Sequence, residues 1–312
     1  MNKTDILIKI LIVLISLTLI ISIVFLSYYI YASKTDDIIE TVVEPILIDN
    51  MHEIEISEAL PQKITILDQT VDSSVETLDL SNCTVDDIDS FKASLSLLHN
   101  LKYLDMSDCN LSNKELAQLR EDFPDIKIVW KIYFSVWSLK TDAVAFSVLI
   151  SNFKYTYLTS KTIEVFKYCT DLQALDLGHQ KITDISVIGD YLPNLRVLIL
   201  ADNQITDISP LAKLKHLHYL ELFINKVKDL SPLASCKELV DLNLCYDTGI
   251  RDFSPLLDNN FPLLERVWLN GCNISSKNLN LLRKKYPNAN ISILYKAREM
   301  IYISLALNNT NY

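Results

Sequence analysis

LRVLILADNQITDISPLAKLKH, residues 195–216, is followed directly by LHYLELFINKVKDLSPLASCKE, residues 217–238. The leucine, asparagine and aliphatic positions of the first stretch recur 22 positions later in the second, and Leu239, Leu242 and Leu244 continue the series. A fixed period of this length is typical of a solenoid made of stacked repeats. One such repeat cannot bury its leucine face alone, so stacking is needed to build the core.

The pattern in each copy is L-x-x-L-x-L-x-x-N-x-L, and its spacing predicts where the side chains lie. Leu198 and Leu200 are two residues apart, so on an extended strand they point to the same side, into the core. Ile199 between them must then face outward. Asn203 follows at a turn, where its amide group can bond backbone groups of neighbouring repeats and form a ladder.

Further copies of the pattern lie on both sides of the quoted stretch. They begin at Val75, Leu101, Leu172, Leu239 and Leu264. In these copies the asparagine position is taken by Cys83, Cys109, Gln180, Asp247 and Cys272. The copies fall into two blocks, roughly 75 to 131 and 159 to 294, and each block ends with a helix-like segment, a proline and a short strand.

The segments ITDISPL (205–211) and VKDLSPL (227–233) resemble those of the bacterial internalin-type leucine-rich repeat proteins. The resemblance covers most of the chain after residue 75. It implies an α/β fold, a curved right-handed leucine-rich repeat solenoid with a parallel β-sheet on its concave side. It also implies that the concave side binds a partner protein.

The sequence predicts six segments. They are an N-terminal membrane anchor at 1–33, an acidic tether at 34–60, a first repeat array at 61–131, bridging strands at 132–158, a second array at 159–295 and a C-terminal tail at 296–312. We expect Ile64 to Leu67 to be an edge strand that covers the first repeat, because a solenoid needs a cap on its open apolar end. We expect the bridging strands to join the two arrays in one continuous sheet.

The anchor prediction rests on residues 10–30, a run of 21 residues without a charge. As a helix this run would be about 31 Å long, enough to cross a hydrocarbon core of about 30 Å. Lys3 and Lys9 precede it, whereas only Lys34 follows closely, so the positive-inside rule places the N-terminus in the cytoplasm. The sequence therefore predicts a single-pass protein of a cell membrane, in a bacterium, with its repeats on the extracytoplasmic side. A cleaved signal peptide remains the alternative.

Composition argues against several classes of function. The net charge of −10 and the pI near 5.0 argue against nucleic acid as a partner. With only 4 glycines the chain contains neither a G-x-G-x-x-G nor a P-loop motif, so we expect no nucleotide cofactor, and none of another kind.

The cysteine and histidine residues do not indicate a catalytic or metal site. The six cysteines include no C-x-x-C pair, and most take buried or ladder positions of the repeat, although Cys245 is expected to be an exposed thiol. His216 and His218 could share a face as metal ligands. No carboxylate or third histidine stands at an offset that matches them, so surface histidines are the preferred interpretation. No catalytic residue is predicted.

The outward positions of the second array suggest a binding face. Aromatic side chains with a polar rim are typical of a protein interface, whereas packing among neighbouring strands is the alternative explanation. The predicted partner-binding residues are Ile199, Tyr219, Glu221, Phe223, Asn243, Tyr246, Arg266 and Trp268. The predicted function is non-catalytic binding of a protein or peptide partner through the concave face. The alternative is an envelope enzyme or sensor subunit with an unrecognised site.

Overall fold

The structure, a computed structural model, describes residues 62–148 and 157–293. Its strands are β1 Lys63–Ile66, β2 Gln69–Asp72, β3 Thr77–Asp79, β4 Tyr103–Asp105, β5 Lys127–Val129, β6 Lys131–Phe134, β7 Trp137–Lys140, β8 Ala145–Ser147, β9 Ala174–Asp176, β10 Val197–Ile199, β11 Tyr219–Glu221, β12 Asp241–Asn243, β13 Arg266–Trp268 and β14 Asn290–Ser292. Strands β8 to β14 form one parallel sheet in chain order, and β3 to β5 form a second.

The repeat frame predicted from the leucine spacing is confirmed in the parallel sheets. Leu198 of β10 pairs with Leu220 of β11, which in turn pairs with Leu242 of β12. All three side chains are at most 1% exposed, as expected for the inward position of a stacked core. The parallel register therefore places equivalent residues of successive repeats side by side on both faces of the sheet.

The sequence D-x-S-P-L explains how the chain turns back after strands β10 and β11. Asp207 Oδ1 accepts the backbone N–H of Ser209 at 2.7 Å, and Pro210 then begins a short 3₁₀ helix, Ser209–Lys213. Asp229 and Ser231 repeat this contact at 2.8 Å before the 3₁₀ helix Ser231–Ser235. The serine hydrogen bonds lower the pKa of the Asp229 carboxyl. An aspartate that bonds its own backbone two residues on is a favoured turn starter.

Helices occupy the corresponding position in the other repeats. They are α1 Ile88–Leu95, α2 Asn113–Asp122, α3 Ser160–Ile163 with a following 3₁₀ turn Glu164–Tyr168, α4 Ser186–Tyr191, α5 Ser254–Asp258 and α6 Ser276–Lys285. Helix α2 begins at a complete capping box, in which Ser112 and Glu115 satisfy each other's backbone N–H groups. Ser275 caps α6 in the same way from its side chain. Both helices turn buried leucines toward the core.

An antiparallel hairpin covers the first array. The predicted edge strand is β1, but it pairs with β2 and adds no strand to the parallel sheet. Ile64 and Ile66 of β1 enter the hydrophobic core, and Gln69 of β2 donates from Nε2 to the Asp79 carbonyl oxygen at 3.1 Å. The cap is therefore joined to the first repeat mainly by side chains, which the sequence pattern did not specify.

The prediction of one continuous sheet through residues 132–158 is wrong. Strands β6 and β7 form a separate hairpin, and only β8 joins the sheet of the second array. Lys131 to Lys140 fold back on themselves because Ser135, in the left-handed region at φ 54°, makes a tight turn between them. Of this predicted segment, residues 149–156 lie outside the described ranges.

Side chains from both arrays meet at the joint between the two sheets. The Arg120 guanidinium of α2 lies 4.3 Å from the ring centroid of Trp130 and donates to the Tyr168 carbonyl oxygen at 3.2 Å. Lys127 of β5 forms an ion pair with Asp171 at 2.6 Å. Cation–π stacking and this ion pair fix the neighbouring repeats where strand pairing is interrupted.

The predicted asparagine ladder is present along the second array. Asn203 accepts the N–H of Ile182 at 2.9 Å, and Asn225 accepts that of Ile205 at 3.0 Å. Each amide group also donates to backbone carbonyl groups of its own and the preceding repeat. These bonds satisfy backbone groups that the turn buries away from water.

None of the helices in ranges 62–148 and 157–293 combines the length and the hydrophobicity that a membrane span requires. The predicted span at residues 10–30, the tether and the tail lie outside those ranges.

Candidate functional site

The candidate site is the outward face of the second array, built by the residues that alternate with the inward leucines. In one row, Asp176, Ile199, Glu221, Asn243 and Trp268 lie side by side on strands β9 to β13. In the row before it, Val197, Tyr219, Asp241 and Arg266 pair in the same manner. The parallel register thus brings all the predicted binding residues of the strands onto one face.

The predicted residues differ in how far solvent reaches them. Arg266 and Tyr246 are exposed, and Ile199, Phe223 and Trp268 are half-buried. Tyr219, Glu221 and Asn243 are buried, against the expectation that outward residues are open to solvent. The Tyr219 hydroxyl donates to Glu221 Oε2 at 2.7 Å, and Asn243 Oδ1 accepts the N–H of Cys245 at 3.0 Å. Both hydrogen bonds join residues two positions apart in the same repeat, so these polar side chains are satisfied within the chain.

Three side chains at one edge of this face form what we call the aromatic edge, namely Phe223, Ile224 and Tyr246. The rings of Phe223 and Tyr246 meet edge to face with centroids 5.6 Å apart. Tyr246 lies over Gly271, where an added Cβ would come within 2.6 Å of the Tyr246 ring. Asn270 Nδ2 donates to the Tyr246 hydroxyl at 2.9 Å. The Tyr246 ring is thus held in place by three neighbours and is still 44% exposed.

The backbone at this edge is unusual for the residues it carries. One residue of each repeat, two positions after the third leucine, adopts a left-handed conformation. The set comprises Asn82, Asp108, His179, Asp202, Ile224, Tyr246 and Gly271. Asn, Asp, His and Gly tolerate this region, whereas a β-branched residue such as Ile224, at φ 53°, is a genuine outlier. Ile224 is also 42% exposed, so burial does not offset the strain.

An ion pair borders the aromatic residues. Arg266 of β13 binds Asp241 of β12 through two parallel contacts, Nε to Oδ1 and NH2 to Oδ2, each 2.5 Å long. Bidentate pairs of this kind are geometrically specific and stronger than single contacts. Arg266 is nevertheless exposed, so the pair forms a charged rim beside Trp268.

Two carboxyl groups of the same face are fully buried, which the sequence did not reveal. Asp176 and Glu221 are 0% and 1% exposed. Burial raises the pKa of both groups, and the charge of Asp176 raises that of Glu221 further. Both lie in the row of the predicted binding residues. Their burial was not predicted, because outward positions were assumed to be exposed.

Two expectations about reactive groups need correction. Cys245 is not an exposed thiol, because it is 0% exposed and burial raises its pKa to about 11. Glu238 lies one repeat period after His216 and approaches it, with Nδ1 and Oε1 3.1 Å apart. A carboxylate at a matching offset was therefore present in the sequence. Within the described ranges no group of three His, Cys, Asp or Glu side chains is arranged to hold a metal ion.

Comparisons with known proteins agree with the repeat architecture. A family model described as leucine-rich repeats in two copies matches residues 193–235, and a leucine-rich repeat model matches residues 100–121. No curated protein matches the chain.

Several solved structures are similar to the chain. An internalin from Listeria monocytogenes is 23% identical, with 72% of this chain and 49% of the internalin covered and a TM-score of 0.37. Internalin C2 from the same organism is 25% identical, with 73% and 84% covered and a TM-score of 0.36. A leucine-rich repeat protein from Leptospira interrogans is 21% identical, with 68% and 47% covered and a TM-score of 0.34. The chain thus spans about half of the first and third of these proteins.

The matched segments lie in both arrays, and each contains a strand of a parallel sheet with its inward leucine. Solenoids of this kind generally offer extended surfaces for protein–protein interaction. We conclude that residues 100–121 and 193–235 match leucine-rich repeats and that the chain is similar to leucine-rich repeat proteins.

Proposed function

We propose that this protein is a non-catalytic binding protein that presents the outward face of its second array, the concave face of the solenoid, to a protein or peptide. In this proposal residues 10–30 anchor the chain in a bacterial cell membrane, and the repeats face the extracytoplasmic side. The uncharged length of residues 10–30 and the lysines before it support the anchor.

The observation that carries the proposal is the strained and exposed aromatic edge. A left-handed conformation costs an L-residue about 1 to 2 kcal/mol, and Ile224 recovers little of this by burial. The left-handed conformation recurs in every repeat, but the fold does not need a β-branched residue there, and such a strained residue is a reason to infer function at that position. Ile224 and Tyr246 are also large apolar side chains held toward solvent, which is how interface anchors are presented.

The surroundings of the aromatic edge fit an interface core with its rim. Trp268 and Phe223 are half-buried on the same face, and the Asp241–Arg266 ion pair borders them. Interface cores are enriched in aromatic residues, and arginine is frequent among residues that dominate binding energy. The remaining outward residues then supply shape complementarity around these anchors.

The test is a double substitution, Trp268→Ala with Phe223→Ala, in the full chain purified in detergent. The immobilised chain is the bait, and extracytoplasmic proteins of the source cells are the mixture from which a partner is captured. The partner is identified and then titrated against the native chain and the variant. Aromatic anchors often contribute more than about 2 kcal/mol each, so the variant should bind at least about tenfold more weakly. Leu97→Ala with Tyr133→Ala removes two exposed apolar side chains, one from the first array and one from the β6–β7 hairpin, and serves as the matched control.

Circular dichroism must show a native fold for each variant. If the Trp268 and Phe223 variant unfolds, these side chains belong to the core and the proposed face is wrong. If it folds and binds with unchanged affinity, the binding site lies elsewhere, and the first array around Tyr103 and Asp105 becomes the next surface to examine.

A further inference from the structure

Asp176 and Glu221 flank Ile199 on the outward face. The register pairs Asp176 of β9 with Ile199 of β10, and Ile199 with Glu221 of β11. Neighbouring strands lie about 4.8 Å apart, so the two acidic residues are separated by about 10 Å with Ile199 midway between them. The apolar side chain of Ile199 thus lies between two carboxyl groups.

The hydrogen bonds of the two carboxyl groups leave one oxygen atom unused. Asp176 accepts from the Ser147 hydroxyl at 2.7 Å and from the Gly178 backbone N–H at 2.9 Å. Glu221 accepts the Tyr219 hydroxyl on Oε2. Its other oxygen, Oε1, is buried without a hydrogen-bond partner among the described residues. A buried polar atom in this state costs about 1 to 3 kcal/mol, so its retention requires an explanation.

Two other carboxylates of the outward strands have a cation within the chain. Asp105 pairs with Lys140 at 2.7 Å, and Asp241 pairs with Arg266. In ranges 62–148 and 157–293, no lysine or arginine forms an ion pair with Asp176 or Glu221. Each carries a raised pKa because burial is not offset by a nearby positive group.

The neighbouring histidine does not fill this role. His179 affects both carboxyl groups electrostatically, but its Nδ1 lies 3.0 Å from Asp202 Oδ2. Its side chain and that of Asp202 are both exposed at the edge of the array. The buried pair on the sheet is therefore short of a positive charge.

We infer that the row Asp176, Ile199 and Glu221 receives a lysine or arginine side chain of the bound polypeptide. The stem of such a side chain packs on Ile199, while its N–H groups reach the carboxyl oxygens on either side. This inference rests on the proposed function and names the partner's chemistry at the proposed face.

A cation contacts both groups only after side-chain rotation, because Asp176 and Glu221 are 0% and 1% exposed. Gly178 keeps the Asp176 carboxyl uncrowded, because a Cβ at that position would lie 3.3 Å from Oδ1. Glu221 is held by one hydrogen bond from Tyr219, and rotation about its side-chain bonds turns the carboxyl group toward a cation over Ile199. A bidentate contact then supplies the hydrogen bond that Oε1 lacks. Arginine forms such contacts and lysine does not, so arginine is favoured.

The experiment is selection of a phage-displayed library of random dodecapeptides on the immobilised full chain. The same selection is run on Asp176→Asn combined with Glu221→Gln, which preserves side-chain shape and removes both charges. Asp79→Asn, at the equivalent outward position of the first array, is the matched control. A second variant, Ile199→Lys, places a positive charge of the chain itself between the two carboxyl groups. It provides a test even if the fold does not tolerate the Asp176 and Glu221 substitutions.

We expect peptides selected on the native chain and on the Asp79 variant to be enriched in arginine and lysine relative to the input library. Both the double variant and Ile199→Lys should lose this enrichment. A peptide selected on the native chain should bind these variants at least about tenfold more weakly, since neither variant offers its basic side chain two carboxylates without a cation.

Three results overturn the inference. Enrichment that survives in both variants places the cation site elsewhere. Selected peptides without basic residues leave the proposed binding function intact and refute the cation. If no peptide is selected at all, the proposed function and the inference both fail.

Discussion

At the scale of single residues, Asp247 departs most from the rest of the ladder. It occupies the position of Asn203 and Asn225, is 0% exposed, and accepts the backbone N–H of Asn225 at 3.1 Å on Oδ1. Its Oδ2 has no partner among the described residues. The asparagines donate from that side of the group to backbone carbonyl oxygens. A protonated carboxyl group can do the same, whereas a carboxylate cannot.

Burial raises the pKa of Asp247 to about 7 from its ordinary value of 3.8. The folded state therefore binds more protons than the unfolded state between these values, and stability falls as the pH rises through that range. Each unit of pKa corresponds to about 1.4 kcal/mol, so the loss approaches about 4 kcal/mol by pH 8.

We predict that Asp247→Asn stabilises the protein at pH 8 and changes its stability little at pH 4. The asparagine amide group supplies the missing donor without a charge to bury. Urea unfolding at both pH values measures the difference, with Asp258→Asn, an exposed acid of the same repeat, as the control. Equal pH dependence in the native chain and the Asp247 variant would show that this group does not titrate as described.

Single residues also mark the limit of what the sequence pattern predicts. The alternation of Leu198, Ile199 and Leu200 assigned the facing direction of each side chain correctly. It could not predict that Glu221 is buried, because burial depends on how Tyr219 packs across the same face. The approach of Glu238 to His216 could have been predicted, since the two are one period apart.

At the scale of elements, each repeat contributes a three-residue strand with one inward aliphatic residue, which is leucine in most repeats and Val267 in β13. Leu220 lies in the middle of β11, is 0% exposed, and pairs with Leu198 and Leu242. A short strand of this kind makes few hydrogen bonds, so its stability depends on packing against both neighbours.

We predict that Leu220→Ala destabilises the protein by about 2 to 5 kcal/mol, because it opens a cavity inside a stacked core. Leu281→Ala removes the same atoms from a position 41% exposed on α6 and should have a small effect. Thermal and urea unfolding of both variants provide the comparison. An unchanged melting temperature for Leu220→Ala would contradict the inward assignment of this leucine.

The elements that repeat were predictable, and those that do not repeat were not. The period located the strands and their inward residues, because equivalent positions recur at a fixed spacing in the sequence. The cap hairpin β1–β2 and the separate hairpin β6–β7 depend on pairing between strands that share no period with the arrays. The 22-residue period therefore could not predict either hairpin.

At the scale of the whole molecule, the proposed anchor and the repeat arrays should be separable. We predict that residues 34–312, expressed without residues 1–33, fold and leave the membrane fraction. The reason is that the removed segment contains the uncharged run 10–30. Fractionation of both forms, with circular dichroism of the shortened chain, provides the measurement. Membrane association that persists after the deletion would refute a single anchor at residues 10–30.

The spacing of the strands determines which residues of an extended peptide can meet successive repeats when the peptide crosses the parallel sheet. Parallel strands lie about 4.8 Å apart, so two steps along a row cover about 9.6 Å. An extended peptide covers about 3.3 Å per residue, and three of its residues therefore span about 9.9 Å. Positions i and i+3 of the peptide nearly match two repeats in length, but their side chains point to opposite sides of the peptide. Asp176 and Glu221 are two repeats apart, whereas side chains on one face of an extended peptide are about 6.6 or 13.2 Å apart, so a single side chain between the two acids fits this spacing better than two side chains of the peptide.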